Sequence, residues 1–264
     1  MKFLEEDELH VYVITTKKNW LRRAAINLTW GFRLKPTFYS DHSGRNVIKL
    51  SNSSEYSSGV EKQMNILYQL KTSHHVDATY MCESWFLFID DDTFLNWRKI
   101  KGALRDLDPN FIYSELHDYK IQEKNRNSRI FSTRRNYPKL THGTHGGAGI
   151  LISKRTLDEL NFIEINLEGV ENGDVAFSIL AHENRIRLCE LKGLNWNNPK
   201  FYGHTNAQIQ EQISYHYVTP AMMFSIFLRS MKLRLHAQSI LLRFNRFVRN
   251  RLHKSKNFGR IKGK

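Results

Sequence analysis

Three consecutive carboxylates, Asp90, Asp91 and Asp92, close the run WFLFIDDDTF (Trp85 to Phe94), directly after five apolar or aromatic residues. Adjacent carboxylates repel one another unless a cation or hydrogen-bond donors neutralise them. Oxygen ligands suit Mg²⁺ or Mn²⁺ better than softer metals, so a divalent-cation site is one reading of the triplet. The other is an acidic turn ahead of the next helix, with Asn96 as a further cap. Gly146, Gly147 and Gly149, interrupted only by Ala148, permit left-handed turns or close approach of the backbone to a ligand, or simply form a loop before a strand. Asp174 follows the turn signal Asn172-Gly173 and precedes a helical stretch. It reads as a first-turn aspartate favoured by the helix dipole, or as a general base held ionised at the mouth of a site. His216 in ISYHYVTPAMM and His204 in KFYGHTN have side chains that can ligate metal, but the chain has 12 histidines and spacing alone selects neither.

These groups need rigid mounts. Trp85 to Ile89 has the length and the aromatic and β-branched content of a strand buried on both faces of a mostly parallel sheet. Ligands bind beyond the carboxyl ends of such strands, where the three aspartates stand. HVYVITT (His10 to Thr16) is predicted to form the first strand, and Trp20 to Trp30 a helix with Leu21, Ala24, Ala25 and Leu28 on its inner face. A strand followed by a helix favours the α/β class. Further strands are expected at Phe38 to Asp41, Asn46 to Leu50, Phe111 to Leu116 and Ile150 to Ser153, and helices at Gly59 to Thr72, Trp97 to Leu107, Lys154 to Leu160 and from Val175 onward. Asp118 to Lys139 is polar and rich in Asn and Arg, a long excursion of the kind that often carries function.

At 264 residues, 41% hydrophobic and 12% aromatic, the chain can bury a sizeable core and is not a disordered protein. Its two cysteines, Cys82 and Cys189, match neither a disulfide scaffold nor a zinc site, though an oxidising compartment would let them form one bridge. No stretch approaches membrane-spanning length, and the first ten residues are acidic where a signal peptide is basic and then apolar. The net charge of +14 is unevenly placed: beyond Glu211 there are twelve Lys or Arg and no acid, so residues 1–211 are close to neutral. From Phe224 to Leu252 apolar residues recur at helical spacing (Phe224, Leu228, Met231, Leu235, Leu241, Phe244, Val248, Leu252) with basic residues between them. Such a segment lies on an anionic membrane surface or packs on the body with a solvated basic face. No recognition motif accompanies it that would point to nucleic acid. The expected division is a body at 1–223 and a basic helical extension at 224–264.

Taken in order, the pieces resemble the fringe-like and core 1 galactosyltransferase branch of the β1,3-glycosyltransferases. VITTKKNWLRRAAINLTW is similar to that family's first strand and helix, with Thr15 and the Arg23, Thr29, Trp30 pattern in place. WFLFIDDDTF is similar to its tryptophan-led strand and D-x-D motif, and GGAGILISKRTLDEL to its Gly-Gly-Ala-Gly strand and helix. NGDVAFS falls where the family has an acidic pair and usually a glycine, so Gly173 and Ser178 depart from the pattern and only Asp174 carries over. SYHYVTPAMM resembles its late Ser-aromatic-His segment, which makes His216 the better ligand, while FYGH keeps His204 in play. The resemblance implies a GT-A-like, Rossmann-like mixed and mostly parallel sheet flanked by helices, an inverting reaction, a UDP-sugar donor of a hexose or N-acetylhexosamine, a glycan acceptor in β1,3 linkage, and Mn²⁺ (Mg²⁺ as the substitute). It assigns Asp92 with His216 or His204 to the metal, Asp90 to the ribose side, Asp91 to the donor sugar, Thr15, Arg23 and Gly146, Gly147, Ala148 and Gly149 to the donor pocket, and Asp174 to deprotonation of the acceptor. Membrane association is expected, in the Golgi lumen for a eukaryotic source or at the cytoplasmic membrane face for a bacterial one. Two rivals use the same residues: a metal-dependent phosphohydrolase and a non-catalytic glycan- or membrane-binding module.

Overall fold

The computed structural model describes residues 8–51, 59–73, 84–118, 140–162, 167, 170 and 172–230, and the statements below concern these. The predicted excursion at 119–139, Cys82, and the extension beyond Ser230 lie outside them. In chain order the elements are β1 (Glu8–Ile14), α1 (Trp20–Leu28), α2 (Gly31–Leu34), β2 (Thr37–Ser40), β3 (Val47–Lys49), α3 (Gly59–Ser73), β4 (Ser84–Asp90), β5 (Phe94–Leu95), α4 (Trp97–Leu104) and β6 (Ile112–Ser114). They continue with β7 (Leu116–Asp118), β8 (His142–Thr144), β9 (Ile150–Ser153), α5 (Lys154–Glu159), α6 (Gly173–Glu183), β10 (Leu188–Glu190), α7 (Asn206–Glu211), β11 (Ser214–Tyr215) and α8 (Pro220–Ser230).

Seven strands form one sheet in the order β10-β6-β9-β4-β1-β2-β3. Strand β9 runs antiparallel to both of its neighbours, and the other pairs are parallel. The sheet is thus mixed and mostly parallel, with helices on both faces, as expected. The central strands are buried on both faces, and successive side chains point to opposite layers. Val11, Val13, Trp85, Leu87 and Ile89 face a layer containing Ala25, Ile26, Trp30, Ile100, Met223 and Phe224. Tyr12, Phe86 and Phe88 face the opposite layer of Ile66, Leu67, Leu70, Leu157, Phe177 and Leu180. A strand with apolar neighbours on both sides has no room for a carboxylate, so β4 emerges from the core as soon as Asp90 is reached.

The predicted face of α1 is turned. Ala25 and Ile26 are buried, whereas Leu28 is 55% exposed. The helix ends at Leu28, and the chain then bends to bury Trp30, whose indole N–H donates to the Thr93 carbonyl at 3.2 Å. The inner stripe therefore runs through Arg22, Ile26, Thr29 and Trp30, positions three or four apart. The strand predicted at Phe111 to Leu116 divides at Glu115: β6 belongs to the main sheet, and β7 pairs with β8.

Helix α8 crosses the boundary expected at residue 223. Phe224 and Leu228 of the apolar series are buried with Met223 and Ile226, and Phe227 sets its ring edge-on to Phe32 on the α1–α2 side. That stretch packs on the body, and the rest of the apolar series lies outside the described residues. No described helix is long and apolar enough to cross a membrane.

Candidate active site

Register places the first site residues. β1 and β4 pair in parallel from Glu8↔Ser84 to Ile14↔Asp90, so Thr15 leaves β1 level with Asp91. The Thr15 hydroxyl donates to Asp91 Oδ2 at 2.5 Å. Arg22, at the head of the inner stripe of α1, donates to Asp91 Oδ1 at 2.8 Å and lies 3.4 Å from Asp92 Oδ2. Asp91 is therefore a buried structural anion, 3% exposed, held by a hydroxyl and a guanidinium. Burial nevertheless outweighs those donors and pushes its carboxyl above the ordinary value. Arg23, the arginine picked out from the sequence, points elsewhere: it donates to the Thr16 carbonyl and approaches His42.

A second, smaller sheet brings the histidine. β5 pairs antiparallel with β11, Phe94 opposite Tyr215. The Val218 N–H donates to the Asp92 carbonyl at 2.8 Å, and the His216 N–H to the Asn195 carbonyl at 2.9 Å. His216 Nε2 thereby lies 3.0 Å from Asp92 Oδ1 and 3.6 Å from Asp90 Oδ2. Ligating atoms of Asp90, Asp92 and His216 all fall within 4.8 Å of one another, the one such His/Cys/Asp/Glu group among the described residues. Asp90, expected on the ribose side, thus stands among the three side chains that could hold a metal ion. His204 does not join it: its Nδ1 is 2.6 Å from the Tyr215 hydroxyl, and its ring stacks on Tyr202.

The charges of this group are unbalanced. Enclosure at the pocket floor, with Asp92, Asp91 and Asp174 adding to it, pushes the Asp90 carboxyl up to about 7 despite His216. Burial works in the same direction on Asp92, but the hydrogen bond and charge of His216, and then Arg22, hold it below its ordinary value. His216 is raised: burial disfavours its cation, and the Asp92 bond and the Asp90 charge outweigh that. Two carboxylates and an imidazole that converge this closely suit a hard divalent cation, which would relieve the repulsion between Asp90 and Asp92.

The glycine-rich loop crosses between the two sheets, and its density has a local cause. A β-carbon on Gly147 would lie 2.1 to 2.4 Å from the His216 ring, and one on Gly146 would lie 2.9 Å from Asp174 Cβ. The loop is stitched down by Thr93 donating to the Gly147 carbonyl at 2.7 Å and Ser214 to the Ala148 carbonyl at 2.6 Å. Only Gly146 and Gly147 of the four line the pocket. Ala148 is fully buried, and Gly149, at φ 130°, turns the chain into β9 against Leu87 and Ile89.

Asp174 is both a first-turn residue of α6 and a pocket residue. Its carboxylate accepts from the Val175 N–H at 2.9 Å, and burial raises its pKa against that bond. Ser178, a departure from the expected pattern, fixes this turn. Its hydroxyl accepts from the Thr144 N–H at 3.0 Å and donates to the Asp174 carbonyl at 2.8 Å.

Thr15, Arg22, the three aspartates, Gly146, Gly147, Asp174 and His216 open into one cavity of about 390 Å³, which Asn19, Lys62, Gln63, His145, Trp196 and Tyr217 also line. None of these six was singled out from the sequence. For Arg22 a signal existed, the helical phase of Ile26 and Trp30. For Lys62, Gln63 and Trp196 none did, because their place depends on how α3 and the 191–216 segment pack.

A family model described as Fringe-like matches residues 4–176. Among solved structures, the galactosyltransferase LgtC in complex with donor and acceptor sugar analogs is similar, at 13% identity over 80% of this chain and 88% of that one, with a TM-score of 0.41. No curated protein matches.

Proposed function

The chain belongs to the Fringe-like family of glycosyltransferases, and from that premise we propose that it is a metal-dependent inverting β-glycosyltransferase. It transfers a hexose or N-acetylhexosamine unit from a UDP-sugar to a glycan hydroxyl, in β1,3 linkage. The observation that supports this best is the convergence of Asp90, Asp92 and His216 in a cavity that Asp174 also lines.

The three converging side chains hold the cation, Mn²⁺ or Mg²⁺. Once bound, that ion supplies positive charge against the departing diphosphate. Thr15 and Arg22 keep Asp91 fixed behind it, so the aspartate turn does not relax when the charge at Asp90 and Asp92 changes. Asp174 takes the proton of the acceptor hydroxyl. Its position, anchored by Ser178 and pressed against Gly146, sets the direction from which that hydroxyl attacks. A raised pKa suits a base that must accept a proton and release it within one cycle.

The test is release of UDP from a panel of UDP-sugars with Mn²⁺, with and without acceptor glycans. Release that needs both acceptor and metal is expected. Hydrolysis of comparable rate without acceptor points instead to the phosphohydrolase, and donor binding without turnover on any acceptor to the binding module. Peripheral attachment to an anionic membrane through the residues beyond Ser230 is part of the same proposal. It predicts that the full chain sediments with phosphatidylserine-containing vesicles and is released by high salt.

A further inference from the structure

Two buried polar groups in the cavity are unused by that mechanism. Lys62 and Gln63 occupy the first turns of α3, and both line the pocket. Lys62 is only 2% exposed, yet its ammonium has neither a hydrogen bond nor an ion pair among the described residues. Burial depresses its pKa, and Asp41 and Glu61 oppose this only from a distance. Asp41 is itself taken up by the Lys17 N–H and the Ser40 hydroxyl. Beside it, Gln63 Oε1 is buried with no partner among the described residues. An ammonium at the cavity wall with no counter-ion among the described residues favours an anionic ligand, and the orphaned amide oxygen next to it repeats the demand for a ligand.

The neighbours say which part of a donor would lie there. Gln63 Oε1 would be 2.2 Å from a β-carbon on Gly173, so it abuts the residue that precedes Asp174. This stretch of wall belongs to the side of the base, where the sugar being transferred must lie. The diphosphate belongs with Asp90, Asp92 and His216.

We propose that Lys62 and Gln63 form a specificity subsite for a donor sugar that carries a carboxylate, a nucleotide-activated hexuronic acid. The carboxylate accepts from the Lys62 ammonium, and a neighbouring sugar hydroxyl donates to Gln63 Oε1. This rests on the transferase reading above and narrows its hexosyl donor to one oxidised at C6. A neutral hexose offers only hydroxyls to Lys62 and leaves a buried charge uncompensated, so the site discriminates against it.

Calorimetric titration of the full chain with UDP, UDP-glucose and UDP-glucuronic acid, in the presence of Mn²⁺, tests this. The wild-type chain is expected to bind UDP-glucuronic acid about tenfold or more tighter than UDP-glucose. Lys62→Met is expected to abolish that preference, to leave the affinity for UDP within about twofold, and to raise the thermal midpoint of the ligand-free protein, since an uncompensated charge is gone. Equal or tighter binding of UDP-glucose overturns the proposal. So does a Lys62→Met variant that weakens UDP as much as UDP-glucuronic acid, which would assign the ammonium to the diphosphate, or one whose thermal midpoint falls. Should Lys62→Met not fold, Lys62→Gln carries the same binding comparison. If none of the three nucleotides binds, the transferase reading itself fails, and this inference with it.

Discussion

Gly147 and His216 occupy the same space: a β-carbon on the glycine would lie 2.1 Å from the imidazole Cε1. The ring is already confined on its other side by Tyr217, stacked at 3.9 Å and held in a left-handed backbone at φ 52°. Gly147→Ala therefore has to push His216 away from Asp90 and Asp92 rather than relax around it. We expect Mn²⁺ affinity to drop about 10- to 100-fold, the range seen when a ligand's orientation is lost, in a protein that still folds cooperatively. Unchanged Mn²⁺ affinity by titration would remove His216 from the metal site.

Asp174→Asn keeps the acceptor for the Val175 N–H but cannot take a proton. Turnover should fall by about 10² to 10⁴, with binding of UDP and Mn²⁺ preserved. The wild-type rate should decline as pH falls through the raised Asp174 pKa, because protonation silences the base. A variant with normal turnover would exclude Asp174 from the mechanism.

Arg22 and Arg23 are adjacent in sequence, but only Arg22 reaches the aspartates. Arg22→Ala removes the charged donor from the buried Asp91 and leaves it with neutral ones. The Arg22 side chain is 38% exposed, so solvent moderates the loss, and a destabilisation of about 1 kcal/mol with weakened metal binding is expected. Arg23→Ala should leave metal binding intact. Denaturant titration and Mn²⁺ titration of the two variants side by side check this, and equal metal defects would refute the assignment.

Glu115 offers a test remote from the metal. Its carboxylate accepts from the Trp196 N–H, and burial pushes its pKa from 4.5 up to about 7. A carboxyl with a raised folded-state pKa adds stability below its unfolded value and loses it as pH rises through the folded value. Urea stability should therefore carry a declining component between pH 4.5 and about 7. In Glu115→Gln, which keeps the Trp196 contact, that component should disappear. A wild-type and variant difference that does not change with pH would contradict it.

The local signals were strong where a residue's role follows from its own segment. Five apolar residues running into three carboxylates can only be a buried strand that ends at the sheet's edge, because no carboxylate survives inside a two-sided core. Hence β4, and with it the site's location, was legible from WFLFIDDD. The order of strand, helix and glycine loop was legible for the same reason. The partition of roles was not. Asp91 is held by Thr15 and Arg22, and Asp90 stands with Asp92 and His216, because parallel register sets Thr15 beside one and the β5–β11 pair sets His216 beside the other. Both relationships span tens of residues in the chain, and no local period encodes them.

The glycines show the same division. Their density at 146 to 149 announces that side chains are forbidden there. That the obstacles at Gly146 and Gly147 are Asp174 and His216 is known only once α6 and β11 have packed against the loop. Lys62 and Gln63 mark the far limit: as residues of a helix they carry no signal of function. Their burial at the cavity wall, with Gln63 Oε1 left without a partner among the described residues, is what singles them out. By itself the sequence determined the elements and the chemistry available, since those depend on neighbours along the chain. The tertiary structure decided which groups meet, since long-range packing and register alone set distances between residues far apart in sequence.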